Sequence, residues 1–222
     1  MMFMRSPPRP QPARHARRRA EVVAVARAAL VALVVTGCST PEPPRFHTLL
    51  PRPAATPVSA AAVSMIWQVG PVQVPAQVDQ PQFVVRRADD TLAQLEMERW
   101  AAPLQDEIRA ALAEHLTTRL GPPLLAPGIG RKDWRIGIDV QRFDSTPGRS
   151  SLVVQWMLVG GGVASGGATT LRCRTSLEQA VEPGIAPLAA GHRKLIERLA
   201  ETIAPVLRAL DAGQRAGCPA AT

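Results

Sequence analysis

The sequence predicts a single α+β (mixed α/β) domain, a mostly antiparallel or mixed sheet with two main helices packed on one face. Three observations carry this expectation. Segments 134–143 and 152–158 alternate apolar and polar residues with the period of a half-buried strand. Segments 101–120 and about 188–210 instead repeat leucine and isoleucine at helical spacing. Strand-like and helical stretches follow one another as strands, helix, strands, helix, an order that suits helices gathered on one side of a sheet. The other face is left to solvent or a partner. The length of 222 residues suits one domain with something left over. A hydrophobic content of 46% excludes a disordered chain, and three cysteines are too few for a disulfide-built mini-domain. No apolar run reaches the 18 or more residues of an ordinary membrane-spanning helix.

The first element is a leader. Residues 1–37 hold seven Arg and one Glu, which is most of the formal charge of +8. The remaining residues, 38–222, hold 19 basic and 17 acidic side chains, so the basic signal belongs to the leader and not to the folded part. An apolar run from Ala28 to Val35 follows and ends in Val35-Thr36-Gly37-Cys38. A basic start, a short apolar core and small residues before a cleavage point describe an export signal. An apolar residue, two small ones and then Cys is the pattern of a bacterial lipobox. The thiol of Cys38 is required there because it forms the thioether to diacylglycerol. Three acyl chains on one residue would make release from the membrane negligible, at about 0.8 kcal/mol per buried methylene. Ser39, where an Asp would retain the protein at the inner membrane, favours the outer membrane of a Gram-negative cell.

Residues 1–37 are thus expected to be a lipoprotein signal peptide and 38–44 a lipidated, Pro-rich tether. Residues 45–212 form the domain and 213–222 a C-terminal tail. Within the domain, 45–50 reads as a short strand and 51–61 as loop. Ile66, Val69, Val72 and Val74 read as a strand broken near Gly70-Pro71. Two short strands at 83–85 and 93–97 flank a turn at Asp89-Asp90. In the 101–120 helix, Pro103 suits the first turn and Gly121-Pro122 the end, with Trp100 packing on its start as a staple. Ser145 to Gly148 is the hairpin turn between the two alternating strands, and 169–177 is the last strand. Pro205 is expected to kink or split the final helix near Glu201.

Chemistry-bearing residues are sparse. His47, His115 and His192 have no metal-ligand spacing with one another or with Cys, so no metal or other cofactor is implied. There is no Gly-x-Ser-x-Gly elbow, and the glycines at 160–167 lack the Lys of a phosphate loop and precede a strand. No nucleophile–base pair is evident, and the sequence reads as a non-enzyme. The aromatics form no stacking ladder beside a basic stripe, so nucleic acid is not an expected partner. Trp67, Trp134 and Trp156 fall on core positions of strands. Cys173 in the last strand and Cys218 in the tail either pair in an oxidising compartment or remain a buried and an exposed free thiol.

Several segments together resemble a known family. These are Cys38-Ser39 with Pro43 to Pro51, Val69 to Pro75, Asp79 to Val84, Arg99 to Leu104, Val140 to Asp144 with Pro147-Gly148, and Val154-Gln155-Trp156. In this order they resemble the paraquat-inducible protein C (PqiC/YmbA-like) family, auxiliary lipoproteins of ABC-type transport systems. The departures are His47 in place of an aromatic such as Tyr, Pro205, and Cys218 in an extended tail. The resemblance implies an outer-membrane, periplasm-facing lipoprotein without enzymatic activity. It implies an MCE-domain transporter as partner, phospholipid transport and membrane integrity as the task, and homo-oligomeric rings in some members. The competing expectation is a stand-alone outer-membrane assembly or structural lipoprotein.

Overall fold

In the computed structural model, which describes residues 42–52, 65–123, 133–161 and 169–220, seven strands and two helices account for the alternating and helical segments in turn. The strands are β1 Arg45–His47, β2 Ile66–Gln73, β3 Gln82–Arg86, β4 Leu92–Trp100, β5 Asp133–Thr146, β6 Arg149–Gly161 and β7 Thr169–Ala180. The helices are α1 Leu104–Leu120 and α2 Ile185–Asp211. The fold is α+β, as expected, with the strands divided between two mixed sheets. One has the order β1-β4-β3, the other β2-β5-β6-β7. Each sheet contains one parallel pair, β1 with β4 and β2 with β5, and is otherwise antiparallel.

The larger sheet grows from the β5–β6 hairpin, closed by Pro147-Gly148 with Gly148 at φ 76°. Alternation sorts its residues. Trp134, Ile136, Ile138, Val140, Leu152, Val154, Trp156 and Leu158 are all buried on the face that both helices cover. Arg135, Gln155, Arg172 and Arg174 remain exposed on the other. The strand at 66–74 does not break at Gly70-Pro71. It continues to Gln73, with a register shift between Val69 and Val72 against β5. A bulge absorbs the missing Pro71 donor without ending the pairing.

Helix α1 starts at Pro103, whose carbonyl accepts from the Asp106 and Glu107 amides, and stops at Gly121, φ 80°. Leu104, Ile108, Leu112, Leu116 and Leu120 form its buried stripe. Trp100, expected as a staple on this helix, is buried in the core. It is the last residue of β4 and packs at 4.8 Å from Phe83 and 5.9 Å from Phe143, centroid to centroid. Pro205 does not split α2, which runs unbroken from Ile185 to Asp211. Pro205 is exposed, whereas Ile203, Ala204, Val206 and Leu207 beside it are buried. The backbone bond it forfeits therefore lies on the solvent side, where water satisfies the Glu201 carbonyl and the buried stripe holds the axis together.

Two features of α2 fix its distance from the sheet. A Cβ on Gly191 would lie 2.6 Å from Ser150 Oγ and 2.7 Å from Val181 Cγ1, so only glycine lets the backbone come this close. Ser150 Oγ then donates to the Leu188 carbonyl at 2.9 Å. One residue on, His192 is fully buried. It stacks on Phe143 at 3.8 Å and shares a 2.8 Å hydrogen bond between Nε2 and Ser145 Oγ.

Gly191→Ala should lower stability by about 1–3 kcal/mol, the overpacking outweighing the gain in helix propensity of about 1 kcal/mol. Thermal unfolding reads this directly; an unchanged or raised Tm would contradict the close approach. His192 gives a pH dependence. Burial holds its imidazole well below the ordinary value, at about 3, so the folded state refuses a proton that the unfolded state accepts. Stability is then full above the unfolded value near 6.5 and declines as pH falls towards 3, by on the order of 5 kcal/mol in all. Denaturant titrations between pH 7 and 4 should show this decline, and it should be largely absent in His192→Gln.

Candidate functional site

Three contacts fasten the first described strand to the rest of the domain. Arg45 and His47 on β1 both turn towards Glu98 of β4, with Arg45 Nη1 at 3.3 Å and His47 Nε2 at 2.6 Å. The Arg45 pair is largely exposed and contributes little. Glu107 contributes more. It is buried in the first turn of α1, and its Oε2 accepts from Thr48 Oγ1 and from the Leu49 amide, both at 2.7 Å. A carboxylate at this place satisfies a buried backbone donor and sits at the positive end of the helix dipole. Leu49 beside it is fully buried. The segment after β1 is thereby bonded to the first turn of α1.

The second arrangement is the uncovered face of the larger sheet. A groove of about 570 Å3 runs across its middle, lined by Gly137, Asp139, Gln155, Met157, Arg172 and Arg174. The register explains the grouping. Gly137, Met157 and Arg172 form one cross-strand row, and Asp139, Gln155 and Arg174 the next. Gly137 supplies no side chain and leaves Met157 as an apolar floor, while the guanidinium groups of β7 form a rim. Arg172 and Arg174 make no ion pair among the described residues. Such a face can hold a partner by hydrogen bonds and charge over a small apolar patch.

Cys218 reaches the end of this groove. Its Sγ is bonded to Cys173 Sγ at 2.05 Å, with the Cα atoms 5.4 Å apart, which ties the tail to the edge strand β7. Cys38 and the lipobox lie outside the described residues, as do the glycines from 162 to 167. Trp67, Trp134 and Trp156 are buried as expected. The indole of Trp134 donates to Asp211 at 2.9 Å and that of Trp156 to Thr175 at 2.8 Å.

One pair escaped sequence reasoning. Ser145 and His192 are 47 residues apart, yet their hydrogen bond is that of a nucleophile and its base. Both are buried, with Phe143 stacked on the ring, and His192 Nδ1 has no partner among the described residues to orient it. The pair therefore lacks both access and a third group, and serves as a core contact. No signal in the sequence could have joined them, because the β5 bulge between Val140 and Arg142 sets the phase that turns Ser145 inward. His115 is half-buried on α1, and burial lowers its pKa below the ordinary imidazole value. Among the described residues no three His, Cys, Asp or Glu side chains are grouped to hold a metal ion. Nor is any described helix long and apolar enough to cross a membrane.

Oxidised protein should yield no free thiol from Cys173 or Cys218 on denaturation; two free thiols would overturn the bridge. Cys218→Ser should cost about 3–4 kcal/mol at most, the loop-closure value for the 45-residue span.

Comparison with known proteins supplies the wider context. None of the curated proteins matches the chain. Among solved structures, one reported as an uncharacterized protein superposes with a TM-score of 0.60 at 18% identity, over 75% of this chain and 99% of its own. Protein XCC0632 from Xanthomonas campestris, of the DUF330 family, superposes with a TM-score of 0.53 at 16% identity, over 77% of this chain and 99% of its own. At these identities the likeness is one of fold. A family model described as the ABC-type transport auxiliary lipoprotein component matches residues 47–204, from the end of β1 to within α2. With seven strands, two helices and a matched span this long, the chain belongs to the ABC-type transport auxiliary lipoprotein family.

Proposed function

We propose that this protein is a periplasm-facing lipoprotein subunit of an MCE/ABC-type lipid transport system. Acylated Cys38 holds it at the outer membrane, where it docks the transporter and supports envelope integrity. The observation that carries this reading is the family match over residues 47–204, joined to a lipobox that ends at Cys38. The mechanism is positional. Only six residues separate Cys38 from the start of β1, so the domain hangs within roughly 20 Å of its leaflet with the tether in extended polyproline form. A short tether raises the local concentration of the domain at the membrane, so that even a weak contact with a membrane-bound partner is occupied. The groove on the larger sheet, with Arg172 and Arg174 at its rim, is a face suited to that contact.

The test is affinity capture of the full-length chain from solubilised envelopes, together with fractionation and mass spectrometry of the mature N-terminus. An MCE-domain protein and an ABC component should be retained, and the first residue should be a triacylated Cys38 in the outer-membrane fraction. Arg172→Ala with Arg174→Ala should reduce capture without loss of membrane attachment. Capture of neither component would point instead to a stand-alone envelope lipoprotein. An unmodified Cys38 in the membrane fraction would remove the anchor.

A further inference from the structure

Four large apolar side chains stand exposed among the described residues: Phe46 at 63%, Leu50 and Leu92 at 41%, and Met97 at 40%. Three of them, Phe46, Leu92 and Met97, belong to the smaller sheet, β1-β4-β3. Their direction follows from pairing. His47 faces Trp100 of β4 across the parallel ladder and, with Arg45, turns to Glu98. Phe46, between them, faces Arg99 and projects to the opposite side. Met97, two residues before Arg99, projects to that same side. Residues 96–98 of β4 stand opposite the Gln82–Phe83 step without a β3 partner, and Met97 among them is exposed.

We infer that the Phe46–Met97 face of the smaller sheet rests on the lipid surface to which Cys38 is anchored, so that the domain is held in one orientation and does not swing freely. The inference rests on the lipid anchor at Cys38. The chain length that precedes the patch selects the occupant. Phe46 is eight residues from Cys38, at most about 25 Å of extended chain, and the described part of that chain, residues 42–45, is exposed. Pro43 and Pro44 stiffen it. Among the described residues Phe46 is the exposed large apolar side chain nearest the anchor in sequence. The flanking charges fit a zwitterionic leaflet, since Arg45 pairs with Glu98 and Arg99 with Glu96, leaving little net charge beside the aromatic ring. A single acyl group or ring binds a membrane weakly alone, but beside an anchor it needs only to set orientation.

The four native tryptophans, Trp67, Trp100, Trp134 and Trp156, are all at most 4% exposed, which makes an introduced surface tryptophan a clean reporter. Full-length lipidated Phe46→Trp is reconstituted into phosphatidylcholine vesicles with and without dibrominated acyl chains. Gln141→Trp, on the exposed part of β5, is the reference. The expected result is a blue-shifted emission from the residue 46 reporter, quenched by roughly half in brominated vesicles, with the Gln141→Trp signal unchanged. Met97→Trp should behave as Phe46→Trp and replaces it if that variant does not fold. Protein that floats with the vesicles while both reporters stay unquenched overturns the inference and leaves the anchor standing. A blue shift without bromine quenching would reveal a protein contact and also overturn it. Protein that does not float overturns the anchor and the inference together.

Discussion

The fold depends on one aromatic junction. Phe83 from the smaller sheet, Trp100 at the end of β4, Phe143 from the larger sheet and His192 from α2 meet in sequence from the first to the last, each ring within 6.5 Å of the next. The two sheets share no strand, so this contact, with β3 against β5, is what makes them one core. It can exist only because α2 comes close enough to the β5–β6 hairpin, and that approach is permitted by the missing side chain of Gly191. An unprotonated His192 is the remaining condition, since a charged imidazole inside this cluster would have no counter-ion to offset its desolvation.

The same junction encloses the Ser145–His192 pair, which is buried inside the cluster. The outer side of each sheet is accessible. One carries arginines over a methionine floor, the other an aromatic and a methionine beside the tether. Glu107 connects Thr48 and Leu49 to α1, and the Cys173–Cys218 bridge holds the C-terminal segment against β7.

Much of this was legible in the sequence, and for a physical reason. The clean alternation of 134–143 and 152–158 and the leucine spacing of 104–120 report burial on one side, and burial follows periodicity directly. The places where sequence reading departs from the structure are those where burial is not local. Gly70-Pro71 looked like an end of strand because Pro removes a donor, but β5 accommodates it through a bulge. Pro205 looked like a break, but its exposed side lets solvent take the lost bond. Trp100 was expected to pack on the start of the helix it precedes, and its ring partners Phe83 and Phe143 are 17 and 43 residues away.

The sequence by itself determined the number and kind of elements, the near-neutral charge of residues 38–222, the lipobox at Cys38 and the absence of motifs for metal, phosphate or nucleic acid. These are properties of residue type and short spacing. Only the tertiary structure decided that the strands form two sheets, that Ser145 meets His192, that Cys218 reaches Cys173, and that Arg172 and Arg174 share a groove with Asp139. Each of these depends on register and on how closely α2 approaches the sheet. Those distances are set by the packing of residues far apart in the chain, which no local pattern encodes.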